Sequence, residues 1–433
     1  MREDSLSKNI DWVTIGLYVL FVVAGWLNIF AVVYNPDPEV QQNIFDLSLN
    51  SGKQLLWIGL AAFSIVSIFA IDFKIFSTLS YVFYAVMILL LLATIVVGKE
   101  VNGSRSWIGI GDFRIQPAEF AKFATALALA NFLSNKQLKW TRENILIVGA
   151  MIFAPMAIVV LQKETGGALA FTAFALVLYR EGLSGWFLII GAWFVGLFIF
   201  TILLGSGVLT LILLGMTVMS IIHLLLKSGK FRIRGVFVQI LIRLGIFIVS
   251  ALFAFSVNYI IFSGNVLQPH QRNRILVLFD PELDLKGKGY QINQSKIAIG
   301  SGGFFGKGFL DGTQTKFDFV PEQSTDFIFC TIGEEHGWFG STILIGLYAY
   351  FLVRIVNVAE RQKDKFARMY GYCVASIIFF NFMVNIGMTI GLFPIIGIPL
   401  PFFSYGGSSM LSFTILLFVF LKLDAHRKQI LAH

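Results

Sequence analysis

The segment Gln271–Gly340 reads QRNRILVLFDPELDLKGKGYQINQSKIAIGSGGFFGKGFLDGTQTKFDFVPEQSTDFIFCTIGEEHGWFG, a long polar stretch in a chain that is otherwise almost wholly apolar. A loop of this length, rich in glycine and basic residues with a few carboxylates, does more than connect its neighbours. Around it, the 433 residues are 57% hydrophobic and only 13% charged, with a mean hydropathy of +0.78. No soluble domain of this length needs so much apolar surface. Runs of roughly 20 apolar residues mark helices that cross about 30 Å of hydrocarbon, and helices are the default spanning form because lipid leaves no other partner for backbone polar groups. The alternation of a membrane β-barrel is absent.

About twelve such runs are present: Trp12–Tyr34, Leu55–Ile71, Ile75–Val97, Phe120–Leu133, Ile145–Leu161, Ala168–Tyr179, Trp186–Leu204, Val208–Leu226, Val236–Ile261, Phe327–Val353, Met369–Leu392 and Leu411–Leu421. The pattern predicts one all-α integral-membrane domain over 1–433, with the large loop 262–326 inside it. With the N-terminus in the cytoplasm, the inner loops collect Lys136, Lys139, Arg142, Arg180, Lys227, Lys230, Arg232, Arg234, Arg361, Lys363, Lys365 and Arg368. That is the positive-inside pattern; an even count places both termini inside and the long loop outside. The net charge of +8 therefore reads as orientation charge, and no basic cluster interleaved with stacking aromatics points to nucleic acid. Cys330 and Cys373 form no metal pattern. The first apolar run lacks a small-residue cleavage site, so no cleavable signal peptide is expected.

Four clusters carry possible chemistry. In VNGSRSWIGIGDFRIQPAEFAKFATALA, residues 101–128, Arg105, Trp107 and Arg114 fall in an outer loop and Pro117 suits a helix start. Glu119 follows in the first turn, and Lys122, three residues on, shares its helix face. A helix-start charge with a snorkelling lysine and a functional intramembrane pair explain this spacing equally well. In LQKETGGALAF, residues 161–171, Lys163, Glu164 and Thr165 break an apolar run, which reads first as a polar hairpin between spans. The long loop offers Asp280, Glu282 and Asp284, then Lys286, Lys288 and Lys296, then Asp311, Asp318, Glu322, Asp326, Glu334 and Glu335. A carboxylate near cations suits general-base work beside an anionic leaving group, although charge alone reads first as a solvated acidic and basic loop. Within it, 290–300 has the character of a short helix on the membrane surface. Last, IGLFPIIGIPLPFFSYGGSSM, residues 390–410, interrupts an apolar pattern with Pro394, Pro399, Pro401, Gly406 and Gly407, as broken helices lining a cavity do.

Taken together, GSRSWIGIGDFRIQPAEFAK, DLKGKGYQINQSKIAIGSGGFFGKG, GTQ, VPEQSTDFIF, EEHGWFG and GLFPIIGIPLPFFSYGGSS resemble, in order and spacing, the motifs of the SEDS family of RodA, FtsW and SpoVE. The QSKIAIGSGG and GKG…GTQ wording looks like the RodA branch, used in elongation and cell shape. The resemblance implies a polytopic bundle of ten core spans, here with an extra pair between Tyr179 and the long loop. It also implies an inverting peptidoglycan glycosyltransferase that polymerises lipid II at the outer face of the bacterial cytoplasmic (inner) membrane. By family motif Asp284 is the catalytic base. Arg105, Trp107, Arg114, Glu119, Lys122, Gln294, Ser295, Lys296 and Glu322 match positions that would bind substrate. A divalent cation, Mg2+ or Mn2+, would assist at the pyrophosphate, and no organic cofactor is implied. The implied partners are lipid II, a class B penicillin-binding protein transpeptidase, membrane proteins of the elongation complex and membrane lipid, with no nucleic acid.

The chain departs from the family pattern at Leu285, where proline is usual. It departs again at Lys163-Glu164-Thr165-Gly166-Gly167, which replaces Pro-Asp-Leu-Gly-Thr with an acid one methylene longer. Two other classes compete with a polymerase. A transporter or flippase of lipid-linked precursors would use the same cations but tolerate an amide at Asp284. A non-catalytic scaffold would need none of the loop's acids.

Overall fold

The computed structural model describes residues 9–34, 43–101, 103–110, 113–134, 139–227, 233–262, 272, 276–277, 288–317 and 319–427. Asp280, Glu282, Asp284 and Asp318 lie outside them. Helices dominate: α1 Trp12–Val33, α2 Asn50–Ala70, α3 Ser80–Val97, α4 Pro117–Ser134, α5 Arg142–Leu161, α6 Thr165–Leu169, α7 Phe174–Arg180, α8 Trp186–Lys227, α9 Ile233–Phe262, α10 Lys288–Ser301, α11 Ile328–Glu335, α12 Gly337–Glu360, α13 Lys365–Thr389 and α14 Gly407–Ala425. Side chains at their starts explain several boundaries. Asp11 accepts from the Thr14 amide at α1, Thr141 from Asn144 at α5, and Asp364 from Ala367 at α13, each satisfying an otherwise orphaned N–H.

Among the described residues, nine helices are long and apolar enough to cross a bilayer, and the chain is a multi-pass membrane protein. The twelve runs read from the sequence are all recovered as helix. Two of them, Trp186–Leu204 and Val208–Leu226, merge in α8, which breaks only at Gly205 (φ 78°, ψ 152°); each arm is about 30 Å long at 1.5 Å per residue. The remaining two are α4, which carries Glu119 and Lys122, and the shorter apolar stretch Thr165–Arg180. The run Phe327–Val353 is divided, because α11 ends at Glu335 and α12 begins at Gly337 (φ 64°).

The chain divides into two compact units, Met1–Gly182 with Gln291–His433, and Leu183–Tyr290. In the first, α14 has 89% of its apolar window buried and α13 72%, against 17% for α3, so the last two helices form the centre. α4 packs with them through alanines at 118, 121, 124, 126, 128 and 130, all at most 1% exposed; such small residues let helix backbones approach. In the second unit, Leu197, Leu209, Leu213 and Ala254 make a small core, and Trp193 donates to Ser250 at 3.1 Å. This stretch has no Asp or Glu from Leu183 to Phe262.

One element was not anticipated. The supposed outer loop before α4 is a three-stranded antiparallel sheet, β1 Lys99–Val101, β2 Ser104–Ile110 and β3 Phe113–Ile115. Val101 pairs with Ser104, and Gly103 has φ 81°, a backbone conformation that glycine adopts without steric cost.

Candidate active site

The sheet delivers the chain to α4 in a fixed pose. The Arg105 amide and the Ser104 hydroxyl both donate to the Gln162 carbonyl at the end of α5, at 3.1 and 3.0 Å. The Gln116 amide donates to Ser408 Oγ at 2.9 Å, in the first turn of α14. Pro117 then opens α4, where its missing N–H costs nothing, and Glu119 faces inward.

Glu119 and Lys122 are brought together: Lys122 Nζ donates to Glu119 Oε1 at 2.8 Å, with side chains 3% and 7% exposed. Ser412 donates to the other Glu119 oxygen at 3.3 Å, and the ammonium lies 4.9 Å from the Phe413 ring centroid. A buried charge survives when it is paired and hydrogen-bonded, and here both conditions hold.

Beside the pair is Glu164, the acid of the segment read first as a plain polar hairpin. Its buried carboxylate accepts from the Gln116 side-chain amide, with Ser106 beside it. Burial above all, with repulsion from Glu119 in support, pushes Glu164 up to about 7, against the lowering pull of Gln116 and Lys122. Gln116, Glu119, Lys122 and Glu164 line a cavity of about 40 Å³ together with Asn381 and Ser409. That admits a few waters and is far below the few hundred Å³ of an enclosed ligand site. It is a charged floor, not a chamber for a whole sugar.

The wall opposite is the non-helical stretch after α13. Asn385 Nδ2 donates to the Asp326 and Ile398 carbonyls at 2.9 and 2.8 Å, the Leu400 amide to Ser404 Oγ at 2.9 Å, and the Tyr405 amide to the Ser324 carbonyl at 2.9 Å. Irregular backbone at membrane depth needs such partners. Gly166 meets this wall so closely that a Cβ there would lie 2.0 Å from the Ile396 oxygen.

Elsewhere the sequence-derived residues are spread out. Arg105 is exposed on β2, 3.4 Å from Glu100. Trp107 is half-buried on the same strand, and Arg114 is exposed on β3, outside the cavity lining. On α10, Gln294 is half-buried and the buried Ser295 donates to the Thr389 carbonyl at 2.8 Å. Lys296 is exposed and runs over Gly391: a Cβ there would be 2.7 Å from its Nζ. Glu322 is exposed with φ 57° and accepts from the Thr325 hydroxyl at 3.1 Å. Asp284 is outside the described residues. Among those residues no three His, Cys, Asp or Glu side chains converge where a metal ion could sit.

The loop's later acids organise structure. Glu334 is fully buried and accepts from Lys307 Nζ, the Thr313 hydroxyl, the Gln314 amide, and both amide and hydroxyl of Thr315, at 2.7–3.2 Å. Burial works against its ionisation, but Lys307 and these donors hold it below the usual carboxylate range. Glu335 accepts from the Leu310 amide at 3.2 Å, and burial pushes it up to about 7.

The family model FTSW_RODA_SPOVE, described as cell cycle protein, matches residues 11–214 and 210–429. The chain is 32% identical over 420 residues to the peptidoglycan glycosyltransferase RodA of Treponema pallidum, covering 91% of this chain and 94% of that one. It is 32% identical to the peptidoglycan glycosyltransferase MrdB of Escherichia coli K12, over 80% and 78% of the two chains. It is 31% identical to stage V sporulation protein E of Bacillus subtilis, over 88% of each. A solved structure of a peptidoglycan synthase complex contains a chain with a TM-score of 0.68 and 26% identity, over 97% of this chain and 99% of that one. The crystal structure of Thermus thermophilus rod shape determining protein RodA shares the fold, with a TM-score of 0.60 at 23% identity over 96% and 97%.

Proposed function

The chain belongs to the cell cycle protein family of FtsW, RodA and SpoVE, the SEDS family, and we propose on that footing that it is a peptidoglycan glycosyltransferase polymerising lipid II into glycan strands. The observation that carries the reading is the match, over 91% and 80% of this chain, to relatives named for that activity. The buried Glu119–Lys122 pair beside Glu164, at the foot of a proline-broken wall, supplies a charged floor compatible with it.

In this reading the acceptor sugar hydroxyl attacks the anomeric carbon of the donor. The new C–O bond forms as the bond to the lipid pyrophosphate breaks, and the hydroxyl proton passes to Asp284. A positioned base of this kind is worth about 100- to 10,000-fold. Lys296, Arg105 and Arg114 are exposed and can meet the departing phosphates, Arg as a planar fork and Lys as a point charge. Gln294, Trp107 and Glu322 hold the surrounding surface, and buried Ser295 ties α10 to the end of α13. Lys122 is already neutralised by Glu119, so it positions the floor unless substrate displaces that carboxylate. Mg2+ or Mn2+ would assist at the pyrophosphate leaving group.

The same reading places the enzyme in the bacterial inner membrane, with the long loop at the outer face. A class B penicillin-binding protein is its cross-linking partner, together with membrane proteins of the elongation complex, and the role is in elongation and cell shape. Purified protein supplied with lipid II tests it. Glycan strands should form with wild type, fall about 100- to 10,000-fold with Asp284→Asn, and fall less with Asp280→Asn. Near wild-type synthesis by Asp284→Asn with a dead Asp280→Asn would move the base to Asp280. Full activity of both would end the general-base reading and favour transport of the lipid-linked precursor.

A further inference from the structure

Four aromatic side chains stand out of the polar loop. Phe304 is 54% exposed, Phe305 76%, Trp338 60% and Phe339 50%. They form one continuous group: Phe304 lies edge-on to Phe305 at 4.8 Å and stacks on Trp338 at 5.3 Å, and Phe305 meets Phe339 at 6.2 Å. A soluble surface seldom leaves such a patch bare.

Their height relative to the bilayer is set by backbone hydrogen bonds. The Trp338 amide donates to the Gly303 carbonyl and the Phe339 amide to the Phe304 carbonyl, both at 2.9 Å. The loop thus caps the first turn of α12, whose N-cap residue His336 makes no side-chain cap, and satisfies two of the donors a helix start leaves orphaned. Gly337 and Gly306 permit the approach, since a Cβ on Gly337 would lie 2.3 Å from the Gly306 amide nitrogen. Phe304 and Phe305 are therefore level with the beginning of α12. That helix spans 24 residues, about 36 Å, against a hydrocarbon core of about 30 Å. A helix of that length exceeds the hydrocarbon core by a few ångströms, so its ends reach toward the headgroup boundary, where aromatic belts sit. The patch also continues into the exposed apolar flank of the same helix, at Ile343, Ile345 and Tyr350.

We propose that Phe304, Phe305, Trp338 and Phe339 form an aromatic ledge seated in the lipid headgroup–acyl boundary, which fixes the height of the long loop over the membrane. Phe304 follows α10 by three residues, so the ledge holds the end of that helix at the bilayer surface. The inference stands on the loop and α12 alone and does not depend on the glycosyltransferase reading.

The test uses the full chain, reconstituted without other proteins into phospholipid vesicles. A fluorophore is attached at Phe305→Cys, or in a parallel variant at Phe339→Cys. Asp311→Cys, on an exposed loop residue, serves as the aqueous reference. Cys330 and Cys373 are buried. Lipids carrying a nitroxide near the headgroup should quench the probes at 305 and 339 several-fold more than the probe at 311, with aqueous iodide showing the reverse order. Equal lipid and iodide access at 305, 339 and 311 overturns the ledge. So does stronger quenching at 305 and 339 by nitroxides deep in the acyl chains, or shielding from iodide that arises only when another protein is added.

Discussion

Lys122 and Glu119, three residues apart on α4, form an ion pair of 2.8 Å with neither side chain more than 7% exposed. Removing one partner strands the other, which typically costs about 3–5 kcal/mol, whereas replacing both by apolar residues of similar size is often neutral. Lys122→Met or Glu119→Leu alone should therefore lower the thermal unfolding midpoint in detergent markedly, and the double variant should recover most of it. If the floor serves the reaction, glycan synthesis should stay low in the double variant despite its restored stability.

Glu164 should give the protein a pH dependence near neutrality. Its folded value of about 7 lies above its ordinary 4.5, so between those values the folded state binds more protons than the unfolded one. Stability contributed by this group is complete below about pH 4.5 and is lost as pH rises through 7. Relative to Glu164→Gln, wild type should lose thermal stability from pH 5.5 to pH 8. Parallel melting curves for the two proteins would remove Glu164 as the source.

Glu334 is expected to clamp the loop. Glu334→Ala leaves the donors of Gln314 and Thr315 without their acceptor, each buried unmade bond costing about 1–3 kcal/mol. Limited proteolysis should then cut within 307–316 at least tenfold faster than in wild type, while the same change at exposed Glu322 leaves that segment protected.

Gly166→Ala should press the Ile396 carbonyl out of the cavity wall, since the added Cβ falls 2.0 Å from that oxygen. Overpacking of this kind costs about 1–3 kcal/mol, and polymerisation should fall more than tenfold. Gly59→Ala, with nothing within 4 Å of the new Cβ, is the matched control and should behave as wild type.

A cysteine at Lys363, between α12 and α13, should label only after the membrane is permeabilised, and one at Ser263 should label from outside. External labelling at Lys363 would invert the orientation read from loop charge.

The helices were legible because span length and apolar content are local properties, and each of the twelve runs returns as helix. The β1–β3 sheet has a turn signal in the sequence, Asn102–Gly103, but a short segment between two spans reads as connection because its strands are too short to show a clear alternation. Glu119 and Lys122 could be paired from their spacing alone. Glu164 could not, because the amide that meets it, Gln116, is 48 positions away, and only packing of α4 against the end of α5 brings them together. Arg114 carried the same promise as Lys122 in sequence, yet strand geometry leaves it exposed while the helix turns Lys122 inward.

The first helix is closed against the last. Tyr18 on α1 bonds to Thr414 on α14, 396 positions away, Asp11 holds Arg354, and Lys422 takes up the Ile68 carbonyl that ends α2 at 2.7 Å. At 5–20 residues per second on the ribosome, α1 spends roughly 20 to 80 s in the membrane before its partner is synthesised. Through that interval Tyr18 lacks Thr414 and Asp11, although it caps α1 through Thr14, lacks Arg354. α1 must therefore be held in the membrane as a waiting piece until α14 is made. Closure of the bundle is a late event in biogenesis, and a chain truncated before α14 would leave its opening helices without their seat.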